Sequence, residues 1–202
     1  MYVPPHFAET DVEKLHEAIR HSGLPILITP GADGLIASHV PLMLDPAPAP
    51  YGTLLGHFSA ANPHAKPTGT ETLAIFTGPD AYISPNWYKT KDETGKVVPT
   101  WNYVAIHAYG TLELFTDAAS LHALVSRLTD LHETGIPNPW KVADAPEAYI
   151  QGQLKGIVGF RMPITRLQGK WKMSQNRPPA DRAGVKAALE EQNPAVAELI
   201  KP

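Results

Sequence analysis

Cysteine is absent from the 202 residues, which excludes disulfides, thiolate metal sites and a cysteine nucleophile. Apolar runs are also short, and none approaches the ~20 residues that a membrane-spanning helix requires. The first residues, MYVPPHFAETD, show no basic region followed by an apolar segment, so no export signal is predicted. We therefore expect a globular, cytoplasmic protein without a membrane segment.

Several catalytic signatures are missing as well. The sequence lacks the phosphate-binding loop GxxxxGK[ST], the dinucleotide fingerprint GxGxxG, the nucleophile elbow GxSxG and the zinc signature HExxH. His122 and His132 fall on different faces of one predicted helix, so they form no ligand pair and no metal site is predicted.

The patterned segments predict a mainly β protein. Short β-rich runs follow one another without regular intervening helices, which favours an antiparallel barrel with peripheral helices over a parallel sheet. Thr10 to Glu13 reads as a capping box that starts the first helix, and Asp117 precedes another helix. The residues Gly78-Pro79-Asp80 predict a turn between two strands, and residues 89–96 a polar loop.

Three of the four tryptophans lie at predicted strand ends beside polar residues, namely Trp87, Trp101 and Trp171. Such rings are typical of a core edge or dimer interface, but they also suit a slot for a planar heterocycle. In VPTWNY, strand alternation predicts Trp101 and Tyr103 on one face, with Thr100 and Asn102 on the other. The sequence alone leaves open which face meets a ligand.

Basic residues are concentrated near the C-terminus. Residues 161–186 contain seven Lys or Arg and a single acid, although the whole chain has a formal charge of -3. This segment could hold the phosphate of a cofactor, contact a nucleic-acid backbone or form a solvated basic face. Direct DNA binding has weak support, because no helix-turn-helix with a basic recognition helix is predicted.

Long motifs connect the chain to a known family. The segments YISPNWY (82–88), GKVVPTWNYVAIHAYGTL (95–112), LTDLHE (128–133) and GKWKMSQNRPPADRAGV (169–185) resemble the PaiB-like family of FMN-binding negative transcriptional regulators. The resemblance implies an antiparallel split β-barrel related to pyridoxamine-phosphate oxidase, with FMN as cofactor, in a homodimer. It implies a flavin-binding domain over residues 1–168 and a basic extension over residues 169–202.

The resemblance also implies the residues that hold FMN. His57 and Ser59, followed by Asn62 and Lys66, resemble the strand and loop that meet the phosphate, while Ser38 and His39 stand where the oxidases usually have an arginine. The remaining candidates lie on the VPTWNY strand and in the C-terminal element: Trp101, Asn102, Trp171, Lys172 and Arg177.

Alternative functions remain open at this stage. The chain could be a flavin-dependent oxidoreductase with an indirect regulatory effect, in which His107, Tyr103 or His39 would donate protons, although no catalytic residue is assigned. A haem-binding split barrel would instead require an axial ligand such as His39, His57 or His107.

Overall fold

The computed structural model describes residues 1–66 and 69–201; Pro202, the last residue of the predicted extension, lies outside the described residues. Ten strands are present in this part of the chain: β1 (Ala8–Glu9), β2 (Ile26–Gly31), β3 (Gly34–His39), β4 (Met43–Asp45), β5 (Thr53–Ser59), β6 (Glu71–Ile83), β7 (Thr100–Thr111), β8 (Glu113–Phe115), β9 (Ile157–Pro163) and β10 (Arg166–Lys172). The α-helices are α1 (Val12–His21), α2 (Lys89–Thr94), α3 (Ala118–Glu133), α4 (Glu147–Leu154), α5 (Pro179–Gln192) and α6 (Pro194–Leu199).

The chain forms two compact units. The first contains residues 1–23, 76–107 and 168–201, and the second contains residues 24–75 and 108–167 without the two undescribed positions. Strands β6 and β7 each contribute residues to both units.

In the first unit, neighbouring strands follow the order β1, β10, β7 and β6. The even-numbered residues of β7 from Asn102 to Ala108 are buried, whereas the odd-numbered residues from Trp101 to Tyr109 are exposed or half-buried. This confirms the alternation predicted for VPTWNY. Helix α1 adds Leu15 and Ile19 to the core of this unit, because its apolar positions recur at helical spacing.

In the second unit, β2 and β3 form a hairpin in which Gly31 pairs with Gly34 across a two-residue turn. Strand β2 also pairs with the first residues of β6, and the buried hydroxyls of Thr29 and Thr72 lie 2.7 Å apart across that ladder. A second antiparallel sheet has the order β4, β5, β9, β8. Helix α3 packs Leu124 and Leu128 against this sheet.

Three local predictions were wrong. The Gly78-Pro79-Asp80 turn does not exist, because β6 continues through it as a strand of 13 residues. The predicted polar loop contains helix α2, which ends at Gly95 with the positive φ that glycine tolerates. The N-cap of α1 is Asp11 rather than Thr10, because the Asp11 carboxylate accepts the backbone N–H groups of Glu13 and Lys14.

Candidate functional site

A hydrogen-bonded cluster in the second unit brings two of the predicted residues together. Ser38, at the end of β3, lies 3.0 Å from the amide nitrogen of Asn62 and 2.8 Å from Nδ1 of His64. Asn62 caps the short 3₁₀ turn Pro63–Ala65 by accepting the backbone N–H of His64 at 2.9 Å. The loop after β5 is therefore fixed to strand β3 by side chains.

His64 was not predicted as a site residue from the sequence. It is the most buried member of this cluster, with 1% of its surface exposed. Its ring stacks on Phe58 with centroids 5.2 Å apart, and burial lowers the pKa of its imidazole below the usual 6.5. Since Ser38 Oγ accepts from Asn62, it can donate to Nδ1, and the neutral ring then carries its proton on Nε2. That Nε2 atom is buried and has no hydrogen-bond partner among the described residues.

Three other predicted residues lie on the same strands and loop. Ser59 ends β5 and accepts the backbone N–H of Ala61 at 3.4 Å. Lys66 follows the 3₁₀ turn with an exposed side chain, and His39 is exposed at the end of β3. The loop that contains Asn62 and His64 therefore also carries the exposed cation Lys66.

His57 lies elsewhere in the second unit. It lines a cavity of about 310 Å³ together with residues of α3 and Trp140. Burial lowers the pKa of His57, and its Nδ1 atom has no hydrogen-bond partner among the described residues. Because consecutive strand residues point to opposite faces, His57 is directed away from the face on which Phe58 contacts His64. The structure therefore does not bring His57 into the Ser38 cluster.

A second group of predicted residues lies in the first unit. Asn102 is completely buried and exchanges hydrogen bonds with Ser174, whose Oγ lies 3.0 Å from Asn102 Nδ2 and 3.2 Å from its Oδ1. Lys172 donates to the hydroxyl of Thr100 and, at 2.8 Å, to the carbonyl of Trp101. Both contacts join β7 to the residues of β10 and the loop that follows it.

Arg177 completes this group. Its guanidinium lies 4.2 Å from the ring centroid of Tyr88, a distance at which a cation is attracted to an aromatic face. Arg177, Lys172 and Asn102 line one cavity of about 270 Å³. Burial raises the pKa of the Tyr88 hydroxyl, an effect that the nearby Arg177 opposes.

The two predicted site residues not yet described, Trp101 and Trp171, differ in exposure. Trp101 is 53% exposed and forms an edge-to-face pair with the exposed Tyr82, with ring centroids 6.0 Å apart. Trp171 is buried, and the ammonium of Lys14 lies 5.0 Å from its ring centroid. The neighbouring residues Trp171 and Lys172 thus line different cavities, of about 630 and 270 Å³.

The cations of the basic segment differ in burial and in their contacts. Arg166 pairs with Glu71 at 3.2 Å and lies 3.4 Å from the ring centroid of Tyr109. Lys170 is buried and donates to the carbonyl of Tyr2 at 3.2 Å. Lys172 and Arg177 line the 270 Å³ cavity of the first unit.

Residues 1–66 and 69–201 contain neither a candidate metal-binding cluster nor a membrane-spanning helix. No group of three or more His, Asp or Glu side chains in these residues is placed to hold a metal ion. Among the same residues, no helix is both long and apolar enough to cross a membrane.

The comparisons with known sequences identify relatives along nearly the whole chain. Residues 1–166 match the family model described as "Putative FMN-binding domain". An uncharacterized protein of Aspergillus fumigatus is 38% identical over 95% of this chain and 91% of the relative. The Bacillus subtilis protein named "Protease synthase and sporulation protein PAI 2" is 30% identical over 98% of this chain and 94% of the relative.

Solved structures share the fold at low sequence identity. An FAD- and haem-binding protein from Mycobacterium smegmatis matches with a TM-score of 0.60 and 16% identity, covering 82% of this chain and 73% of that chain. The flavocytochrome Anf3 from Azotobacter vinelandii matches with a TM-score of 0.61 and 13% identity, covering 84% and 72%. The predicted fold, an antiparallel split β-barrel with helices, and the predicted cofactor, FMN, are confirmed. The chain belongs to the PaiB-like family of FMN-binding split-barrel proteins.

Proposed function

We propose that the protein is a PaiB-type regulatory flavoprotein whose Ser38 cluster and Lys66 hold the phosphate of FMN. The observation that carries the proposal is the buried Nε2 atom of His64, which has no partner among the described residues. An unpaired buried donor costs free energy that a ligand oxygen would recover. A phosphate also requires a cation, and Lys66 supplies one on the same loop.

We further propose that residues of the first unit, considered by itself, can contact a flavin: Trp101, Asn102, Trp171, Lys172 and Arg177. The exposed ring of Trp101 offers a face for a planar heterocycle. The buried Asn102–Ser174 pair fixes the base of β7, so that neighbouring donors keep their positions. FMN itself would supply reversible electron and hydride transfer, while these residues bind it, orient it and exclude water.

Homodimer formation and transcriptional regulation complete the proposal. The exposed Tyr82–Trp101 pair supports a subunit interface, because aromatic residues are enriched in interface cores. The ion pair of Arg166 with Glu71 and the burial of Lys170 make these two cations less available to a DNA backbone, which favours regulation without extensive DNA contact by residues 161–186. The family match ends at residue 166, which supports a boundary between the flavin-binding domain and the basic extension near residue 168.

FMN binding to the purified protein tests the proposal directly. Quenching of flavin fluorescence at micromolar protein is the expected result, and Ser38→Ala, His64→Gln and Lys66→Met should each weaken FMN binding by roughly tenfold, because each removes a contact to the phosphate. Lys155→Met, which removes an exposed lysine at the end of α4, should bind FMN like the unmodified protein. Unchanged flavin fluorescence, or equal affinities for all variants, would refute the assignment.

A further inference from the structure

The cavity lined by Lys172 and Arg177 has a net positive charge. Among the described residues, those that line it include two cations and no Asp or Glu. The other polar atoms come from neutral side chains, including Thr100, Asn102 and Ser174. This composition differs from that of an ordinary surface cleft, in which charges of both signs are interspersed.

Lys172 shows the imbalance most clearly. Its ammonium donates to two neutral oxygens, the Thr100 hydroxyl and the Trp101 carbonyl. Burial, and then repulsion by Lys170, lowers the pKa of Lys172 below its usual range. Among the described residues no carboxylate pairs with Lys172, and a half-buried cation with a like charge nearby is destabilised in its charged form, an effect that an anion would reverse.

Arg177 lies opposite an aromatic wall. Its guanidinium lies 4.2 Å from the Tyr88 ring centroid. The planar arrangement of its N–H groups suits two oxygens of one anion. The carboxylate of Asp181 is near Tyr88, and its negative charge contributes to the raised pKa of the Tyr88 hydroxyl. Asp181 accepts the backbone N–H of Thr90 at 2.8 Å and does not line the cavity.

The volume of the cavity is compatible with a small anionic ligand. At about 270 Å³ the cavity lies just below the roughly 300–1,000 Å³ typical of pockets for drug-sized ligands, and it has room for an anionic group beside its two cations. We propose that this cavity binds the phosphate or carboxylate group of a small ligand through Lys172 and Arg177. The proposal goes beyond the proposed function, which places the phosphate of FMN at the Ser38 cluster, and adds a second anion site.

Titration with inorganic phosphate, followed by calorimetry, tests the anion site. Saturable binding is expected, weakened roughly tenfold or more in Lys172→Met and Arg177→Met. Lys172→Arg keeps the charge and should retain binding, as should the surface variant Lys155→Met. The proposal fails if phosphate shows no saturable binding, or if the two Met variants bind it as the unmodified protein does. Circular dichroism verifies folding, and Arg177→Met decides if Lys172→Met does not fold.

The source of the anion follows from repeating the titration with bound flavin. Riboflavin lacks the phosphate of FMN, so loss of phosphate binding with FMN but not with riboflavin would place the FMN phosphate in this cavity rather than at the Ser38 cluster. Phosphate binding that persists with either flavin would indicate a separate small ligand. Both results support an anion site.

Failure of this inference is distinguishable from failure of the proposed function. Phosphate binding without binding of either flavin would overturn the flavin assignment alone. FMN binding that is unchanged in Lys172→Met, together with no phosphate binding, would overturn the anion site alone.

Discussion

Single residues of β7 show how alternation separates two roles. Asn102 turns inward, is completely buried and satisfies its amide with Ser174. Its neighbour Trp101 turns outward and contacts Tyr82. A buried amide without partners would cost about 1–3 kcal/mol, so the Asn102–Ser174 pair fixes the strand, while Trp101 remains free to contact a ligand or partner.

His64 leads to a pH prediction. Its folded pKa lies below 6.5 because the ring is buried, so the unfolded chain binds a proton more readily than the folded chain. The contribution of His64 to stability is therefore complete above pH 6.5 and is lost as the pH falls through the lowered folded pKa. His57 contributes in the same direction.

Urea unfolding between pH ~5 and ~7.5 measures this effect. His64→Gln should show a smaller loss of unfolding free energy on acidification than the unmodified protein. Phe58→Leu is the matched control, because it perturbs the ring that stacks on His64 without removing a titratable group. The same pH dependence in His64→Gln and the unmodified protein would contradict the prediction.

At the scale of elements, strand pairing overrides local turn signals. Residues Gly78-Pro79-Asp80 favour a turn in isolation, yet β6 continues through them because it pairs with β7. A Cβ atom at Gly78 would lie 2.9 Å from Val104 Cβ, so the absent side chain permits the close approach of the two strands. The signal for a turn was in fact a signal for close packing.

Helix α5 depends on a similar approach at Gly184. A Cβ atom there would lie 2.1 Å from the backbone carbonyl oxygen of Trp87, and a carbonyl cannot rotate away as a flexible side chain can. Gly184→Ala should therefore lower the free energy of unfolding by about 1–3 kcal/mol, as overpacking does. Chemical denaturation measures the change.

Gly152 supplies the matched control, because it lies in helix α4 with no atom within 4 Å of a Cβ position. Gly152→Ala should raise stability by up to about 1 kcal/mol, since alanine favours the helix over glycine. If both variants stabilise the protein, helix α5 does not pack against Trp87 as described.

For the whole molecule, the Tyr82–Trp101 pair predicts the oligomeric state. If these rings lie in the core of a homodimer interface, Trp101→Glu should weaken dimerisation by about 2 kcal/mol or more, roughly thirtyfold. Light scattering after size-exclusion chromatography measures the change. Tyr149→Ser removes another exposed ring and should leave the dimer intact. A monomeric unmodified protein, or a dimeric Trp101→Glu variant at low concentration, would count against the interface.

Features that depend on the periodicity of the sequence or on neighbouring residues could be predicted from the sequence. The strand alternation of VPTWNY and the helix that follows Asp117 were predicted correctly, because these features depend on neighbouring residues. The family resemblance likewise rests on contiguous motifs. Such features fix the fold class and the cofactor without knowledge of distant contacts.

The candidate site depended on contacts between distant residues. His64 joins Ser38 and Asn62 through β3 and the loop after β5, whereas in the sequence it was one histidine among nine. His57 was separated from that cluster by the face of β5 on which it lies. The sequence by itself determined the fold class, the family and the chemical types available; the tertiary structure decided which polar atoms meet, because burial and unpaired donors arise only when remote segments pack together.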